Sequence, residues 1–277
     1  DFCLSRGLGD VYKRQLQIMV WGGSFFILAV MGEPILRETG WDGHWVYGAL
    51  SLSLMVSALL APLASRLVVR YGGRLQMAAS GIVVGAGLLI VGNANSLQVF
   101  LLAWVVIGVG MAIGLYEALF ATLGALYAER AGSAITGITL ISGFATTITW
   151  PLVAFAIEQF GWRVTCTAYA LMLIVVVAPL YLWVLPAGPH GATSKPVAAA
   201  TDVSVDRRLY LLLMWIFAIG AIIMTAVSVQ LVAVLQGLGH SLATAIALSA
   251  LLGPSQVASR VLQIVARKRH PLSLIHI

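Results

Sequence analysis

The sequence predicts an all-α polytopic membrane protein, with one bundle of six transmembrane helices followed by the first two helices of a second bundle. Three observations predict it. Hydrophobic residues make up 60% of the chain and charged residues only 9%, whereas about a quarter of the residues in a soluble domain are charged. Apolar runs long enough to cross a bilayer, which takes roughly 20 residues each, recur along the chain and divide at clusters of turn formers. Basic residues gather in alternate gaps between those runs, as they do in cytoplasmic loops.

The gap from Pro62 to Arg74, PLASRLVVRYGGR, anchors the rest. Three arginines (Arg66, Arg70, Arg74) crowd into it, and charge-free stretches flank it from Gly43 to Ser65 and from Leu75 to Tyr116. It reads as a tight cytoplasmic hairpin between two spans.

In chain order, the first span runs from Leu16 to Leu36 and closes in GEPILRETGWDG. The second, His44 to Leu67, enters the arginine hairpin, and the third, Leu75 to Val91, stops at the turn formers Gly92 to Ser96. The fourth, Leu97 to Ala128, is long enough to tilt and ends at Glu129-Arg130. The fifth, Ser133 to Ile157, carries Thr136, Thr139, Thr146, Thr147 and Thr149 ahead of Trp150-Pro151. These threonines either line a polar cavity or satisfy carbonyls freed by the proline. The sixth, Val164 to Leu185, completes a domain over 16–185. Residues 186–206, rich in Pro, Gly, Ala, Ser and Thr, read as a flexible cytoplasmic linker. Two further spans, Leu209 to Leu235 and Ser241 to Ala266, begin a second domain over 207–271.

With the N-terminus cytoplasmic, eleven basic residues fall inside (Arg66, Arg70, Arg74, Arg130, Lys195, Arg207, Arg208, Arg260, Arg267, Lys268, Arg269) and only Arg37 and Arg163 outside. That asymmetry sets the orientation in a cell inner membrane. The ends are set apart from this count. LSLIHI (272–277) can be encoded by the reverse complement of a sequence encoding DVYKRQ (10–15), as happens when one sequencing adapter is joined to both ends of an insert. Residues 1–15 and 272–277 are therefore expected to be adapter-derived scars around an internal fragment.

Several function classes lack their signatures. The net charge of +6 lies in loops without the aromatic interleaving of a nucleic-acid surface. The two cysteines, Cys3 and Cys166, form no CxxC pair. No GxxxxGK[ST], HExxH or GxSxG sequence occurs, so neither ATP hydrolysis nor an enzyme of the metalloprotease or serine-hydrolase kind is indicated, and no cofactor is expected. GVGMAIG lies within an apolar run, and the pairs Gly81/Gly85 and Gly110/Gly114 read as close helix packing.

Six spans, a polar linker and a restarted pattern resemble the major facilitator superfamily. In that family the loop after the second span reads Gly-x-x-x-Asp-Arg-x-Gly-Arg. Here Arg70, Gly72 and Arg74 match, Ser65 replaces the first Gly and Val69 the Asp. In the family that carboxylate helps hold the two halves together, so its absence implies a weaker or a differently built lock. LLAP before ASRL (59–67) recurs as LLGP before ASRV (251–261), an echo of the internal repeats of such transporters. Phe160-Gly161-Trp162-Arg163 is also common there. Gln256-Val257-Ala258-Ser259-Arg260 is similar to the Asp-x-x-x-Arg pair of monocarboxylate transporters, with Gln at the Asp position. Trp150-Pro151 stands where many drug antiporters have Gly-Pro.

The resemblance implies a secondary transporter of a small organic solute, with an organic anion as the candidate substrate, coupled to protons and embedded in the lipid bilayer. The alternatives are a drug efflux antiporter, a membrane-embedded enzyme and a transporter-like sensor. Tyr116-Glu117 lies inside the fourth span, twelve residues before Glu129, or roughly 18 Å along a helix. A carboxylate there costs about 2.5–3.5 kcal/mol to insert unless it faces a cavity or partner, so Glu117 is a candidate proton carrier or a structural hydrogen bonder. Arg260 either holds a substrate carboxylate or snorkels to the interface. Gln230 and Gln256 either contact substrate or join helices. Glu33 and Arg37 read as an interfacial pair.

Overall fold

The computed structural model describes residues 16–127, 145–185 and 207–269. The loop with Glu129 and Arg130, the first part of the fifth span with Thr136 and Thr139, the linker 186–206 and both adapter-like ends lie outside the described residues. The helices are α1 (Leu16–Thr39), α2 (Gly43–Tyr71), α3 (Gly73–Gly92), α4 (Leu97–Gly114), α5 (Tyr116–Tyr127), α6 (Ala145–Met172), α7 (Ala178–Val184), α8 (Arg207–Gly237), α9 (Leu242–Ala250) and α10 (Leu252–Arg269). A π turn, Gly22–Phe26, interrupts α1, and another, Leu173–Val177, joins α6 to α7.

Seven stretches among the described residues are long and apolar enough to span a membrane, and one of them, Ala145–Val184, has 40 residues. A straight helix of that length would measure about 60 Å, twice the hydrocarbon core of a bilayer. Gly161 resolves the excess. Its φ of 78° and ψ of 163° are open to a residue without Cβ, and they turn the chain back. Before it, Trp150 Nε1 donates to the Phe26 carbonyl. After it, Arg163 meets Glu38, Tyr169 donates to the Met19 carbonyl and Tyr181 to Gln17. The chain thus ascends α1 and descends it again, giving the eight spans that the sequence predicts.

The turns Gly40–Asp42, Asn93–Ser96 and Gly161 share one end of the bundle. The opposite end holds Arg66, Arg70 and Arg74, together with the start of α8 at Arg207-Arg208. No loop separates α2 from α3. Gly72 alone, at φ 80°, accepts the reversal, and its N–H bonds the Val68 carbonyl at 2.9 Å.

Small residues set the helix spacing. A Cβ on Gly108 of α4 would stand 2.6 Å from the Ser53 carbonyl oxygen of α2, and one on Gly85 of α3 would stand 2.9 Å from the Ala170 oxygen of α6. Gly110 and Gly114 abut Val84 and Ser80 of α3. Both predicted small-residue pairs therefore do the packing expected of them. Ser53 adds a 2.5 Å bond to the Trp104 carbonyl across the α2–α4 contact.

Two spans depart from the uninterrupted helices that the sequence suggests. The fourth breaks at Leu115, which is extended (φ −84°, ψ −162°), after a run whose Gly110 and Gly114 weaken the helix. The eighth breaks at Leu251, three residues ahead of Pro254.

The glycine contacts set a test with opposite signs. Gly108→Val forces backbone apart and is expected to cost about 1–3 kcal/mol. Gly48→Ala, at a helical site with nothing within 4 Å, is expected to be neutral or to stabilise by roughly 0.5–1 kcal/mol. Thermal unfolding of the purified protein in detergent measures both.

Candidate functional site

Two features dominate the interior, one near each end. Towards the arginine end, rings from three spans meet beside the break in the fourth. Trp21 of α1 lies 4.5 Å from Tyr116, which stacks on Phe120 at 5.1 Å. Phe25 and Phe26 pack against Trp21, and Phe26 against Trp150 of α6. The π turn in α1 shapes this cluster, because Gly22 and Gly23 leave room for Tyr169 and Thr149. The Leu115 break is held by Gln17. Fully buried, its Nε2 donates to the Gly114 carbonyl at 3.1 Å and its Oε1 accepts from the Tyr181 hydroxyl at 3.0 Å.

The new helix α5 then starts at Tyr116-Glu117. Gly73, at the start of α3, packs against Thr122, five residues beyond Glu117, so Glu117 stands about 8 Å along the helix from the level of the Gly72 turn. The side chain of Glu117 lies outside the described residues.

Towards the other end, a cavity of about 1020 Å³ opens between α2 and α8. Tyr47, Ser51, Thr225 and Gln230 supply hydrogen-bonding groups to walls that are otherwise largely apolar, and Asp42 and His44 stand at its rim. The Tyr47 ring is seated against Gly32 of α1, where a Cβ would collide with it. Asp42 caps α2. Its Oδ1 accepts from the His44 N–H at 2.8 Å and lies 2.7 Å from His44 Nδ1. The backbone N–H of His44, and then its ring, hold the Asp42 carboxyl below the usual aspartate range.

The predicted candidates divide between these features. Gln230 lines the large cavity, and Tyr116 belongs to the aromatic cluster. Gln256, half-buried in α10, belongs to neither, and the side chain of Arg260 lies outside the described residues. Arg66 and Arg70 are exposed beside the turn, with the Arg70 guanidinium over the Tyr71 ring at 5.2 Å, while Arg74 is half-buried. Glu33 and Arg37 form the expected pair at 2.8 Å. Tyr47, Ser51 and Thr225 went unnoticed in the sequence. Isolated hydroxyls in apolar runs carry no signal until their helix faces are known. Among the described residues, no group of three or more His, Cys, Asp or Glu could hold a metal ion.

Among the described residues, the seam of α6 against α9 carries one polar link. Pro254 has no N–H, so the carbonyl four residues earlier, on Ala250, lacks its helical donor. Thr147 Oγ1 of α6 donates to it at 2.8 Å. Thr147 thus follows neither reading given for the fifth-span threonines, since the carbonyl it satisfies is freed by Pro254 in a different span and not by Pro151.

Comparison with known sequences fits this architecture. The family pattern of the Major Facilitator Superfamily matches residues 16–276. The chain belongs to that superfamily. It is 34% identical over 125 residues to monocarboxylate transporter 3 of Rattus norvegicus, covering 44% of this chain and 24% of that protein. With monocarboxylate transporter 11 of Mus musculus it shares 28% over 166 residues, 58% of this chain and 33% of that protein. The matches thus span about a quarter to a third of the relatives' length. The fold is that of the D-xylose-proton symporter, with a TM-score of 0.67 at 14% identity over 97% of this chain and 70% of that one. The resemblance read from the arginine turn and the span pattern is correct at the level of family and fold.

The seam and the rim each yield an expected outcome. Thr147→Val should destabilise the protein by about 1 kcal/mol. In a Pro254→Ala background, where residue 254 regains an N–H, the same change should cost close to nothing, a coupling read by a double-mutant cycle of unfolding free energies. At the rim, a lowered carboxyl pKa means that the Asp42 cap is intact at neutral pH and is lost as pH falls through that value. Protection of the amides at the start of α2, relative to their intrinsic exchange rates at each pH, should fall on acidification, and Asp42→Ala should remove this acid step.

Proposed function

We propose that the protein is a secondary transporter of a small organic solute, preferentially an organic anion, working by alternating access and coupled to protons through Glu117. The observation that carries this reading is the cavity of about 1020 Å³ between α2 of the first bundle and α8 of the second. Its volume suits a small molecule, and Tyr47, Ser51, Thr225 and Gln230 offer neutral hydrogen bonds that orient a polar solute without trapping it. The monocarboxylate transporters among the relatives support an anionic substrate, for which Arg260 of α10 is the candidate counter-charge.

Alternating access requires the two bundles to rock against each other about a site between them. The seam of α6 against α9, with one Thr147 bond among the described residues, offers little polar resistance to such movement. Rocking closes the cavity on one side while opening a path past Tyr116 and Gln256 on the other. Glu117 opens α5 directly after the break that Gln17 holds, where a carboxyl can take up a proton from one side and release it to the other. The arginine turn (Arg66, Arg70, Gly72, Arg74) bends as a unit between α2 and α3. The charge asymmetry supports placing this end in the cytoplasm, with the chain in the cell inner membrane.

Lactate flux in proteoliposomes tests the reading. An imposed acid-outside gradient should drive accumulation, and Glu117→Gln should abolish that accumulation while exchange of labelled for unlabelled lactate persists. Accumulation unchanged in Glu117→Gln removes the coupling role from this residue. Gln230→Ala should raise KM several-fold, the order of one lost hydrogen bond of ~1 kcal/mol.

A further inference from the structure

A second cavity, of about 500 Å³, lies apart from the proposed transport cavity, where α1, α6 and α9 meet. Val30 and Pro34 of α1, Pro151 and Phe155 of α6, and Leu242 and Ile246 of α9 form its apolar walls, and among the described residues Glu158 is its only charged lining residue. Two of the walls are prolines within helices. A proline ring replaces the backbone donor and widens the local helix spacing.

Glu158 has no counter-ion among the described residues, and the nearby cations are committed elsewhere. Arg163, beyond the Gly161 turn, gives Nε to Glu38 at 2.8 Å and Nη1 to the carbonyls of Gly92 and Ala94. Arg37 is held by Glu33, and the His44 ring by Asp42. His240, in the turn before α9, forms no ion pair with Glu158. An open apolar pocket with an exposed, unpaired carboxylate at its edge, three residues from a turn, is complementary to a ligand with a compact hydrophobic body and one positive charge.

We infer that this chamber is a binding site for hydrophobic amines, with the ring system among Val30, Phe155, Leu242 and Ile246 and the ammonium on the Glu158 carboxylate. The charge-assisted hydrogen bond would form at the exposed Glu158 carboxylate, with the apolar walls taking up the body of the ligand. An occupant would stand across the seam between the two bundles, outside the cavity lined by Gln230. The inference is therefore independent of the substrate proposed above.

Binding of N,N-dimethyl-1-naphthylmethylamine to the protein in nanodiscs tests it, with partition into empty nanodiscs subtracted. The uncharged control is 1-isobutylnaphthalene, which has the same shape with carbon in place of nitrogen. The expected result is saturable amine binding that weakens about tenfold in Glu158→Gln, with the hydrocarbon binding both proteins equally and more weakly than the amine binds wild type. Ala247→Trp should block the amine by filling the chamber. Ala243→Leu, a smaller intrusion, serves if the tryptophan variant does not fold. Equal amine affinity in Glu158→Gln overturns the proposal, as does binding that survives the filling substitution.

Discussion

A backbone carbonyl that loses its helical donor inside a membrane must find another, because lipid offers none. This constraint organises the interior. The break at Leu115 leaves the Gly114 carbonyl to Gln17. The π turn in α1 turns the Met19 carbonyl towards Tyr169 and the Phe26 carbonyl towards Trp150. Pro254 leaves the Ala250 carbonyl to Thr147, and the end of α3 leaves Gly92 and Ala94 to Arg163. In every case the donor comes from a different span, so each irregularity in one helix becomes a specific contact with another. Apolar packing in lipid has little directional preference. These bonds supply the register that packing alone does not.

Much of the fold could be read from the sequence because membrane topology depends on coarse signals. Span lengths, turn formers and loop arginines suffice to order eight helices, and Gly72 and Gly161 stand at the turns where those signals put them. The helix breaks are different. Leu115 carries no local mark beyond the neighbouring glycines, and its extended backbone is stabilised by Gln17, almost a hundred residues earlier. No window along the chain contains both halves of that interaction. Thr147 and Pro254 pose the same difficulty, since the donor lies in one domain and the orphaned carbonyl in the other.

The candidate site was only partly legible for a related reason. Gln230 and Tyr116 attract notice because amides and phenols are uncommon in apolar runs; Gln230 lines the large cavity as an exposed residue and Tyr116 packs among the aromatic rings. Tyr47, Ser51 and Thr225 become significant only when α2 faces α8 across a cavity. Their spacing along the chain is unremarkable, whereas their shared wall follows from the seating of Tyr47 on Gly32. Glu158 carries no signal in the sequence analysis. Its interest arises from the prior engagement of Arg163 and Arg37 elsewhere.

The arrangement of polar links bears on how such a protein can move. Within the first bundle the links are numerous, and those of Gln17 are buried. Gln17 ties α1 to α4 and α7, Tyr169 and Trp150 tie α1 to α6, and Arg163 ties α1, α3 and α6 together. Across the seam to α9 the described residues show one such bond, from Thr147, and otherwise apolar contact and cavities. A structure cross-linked within a bundle and lightly linked between bundles moves most easily as rigid bodies. The same proline that frees the Ala250 carbonyl therefore creates the one polar contact that any rocking of α9 against α6 must keep as a pivot or break.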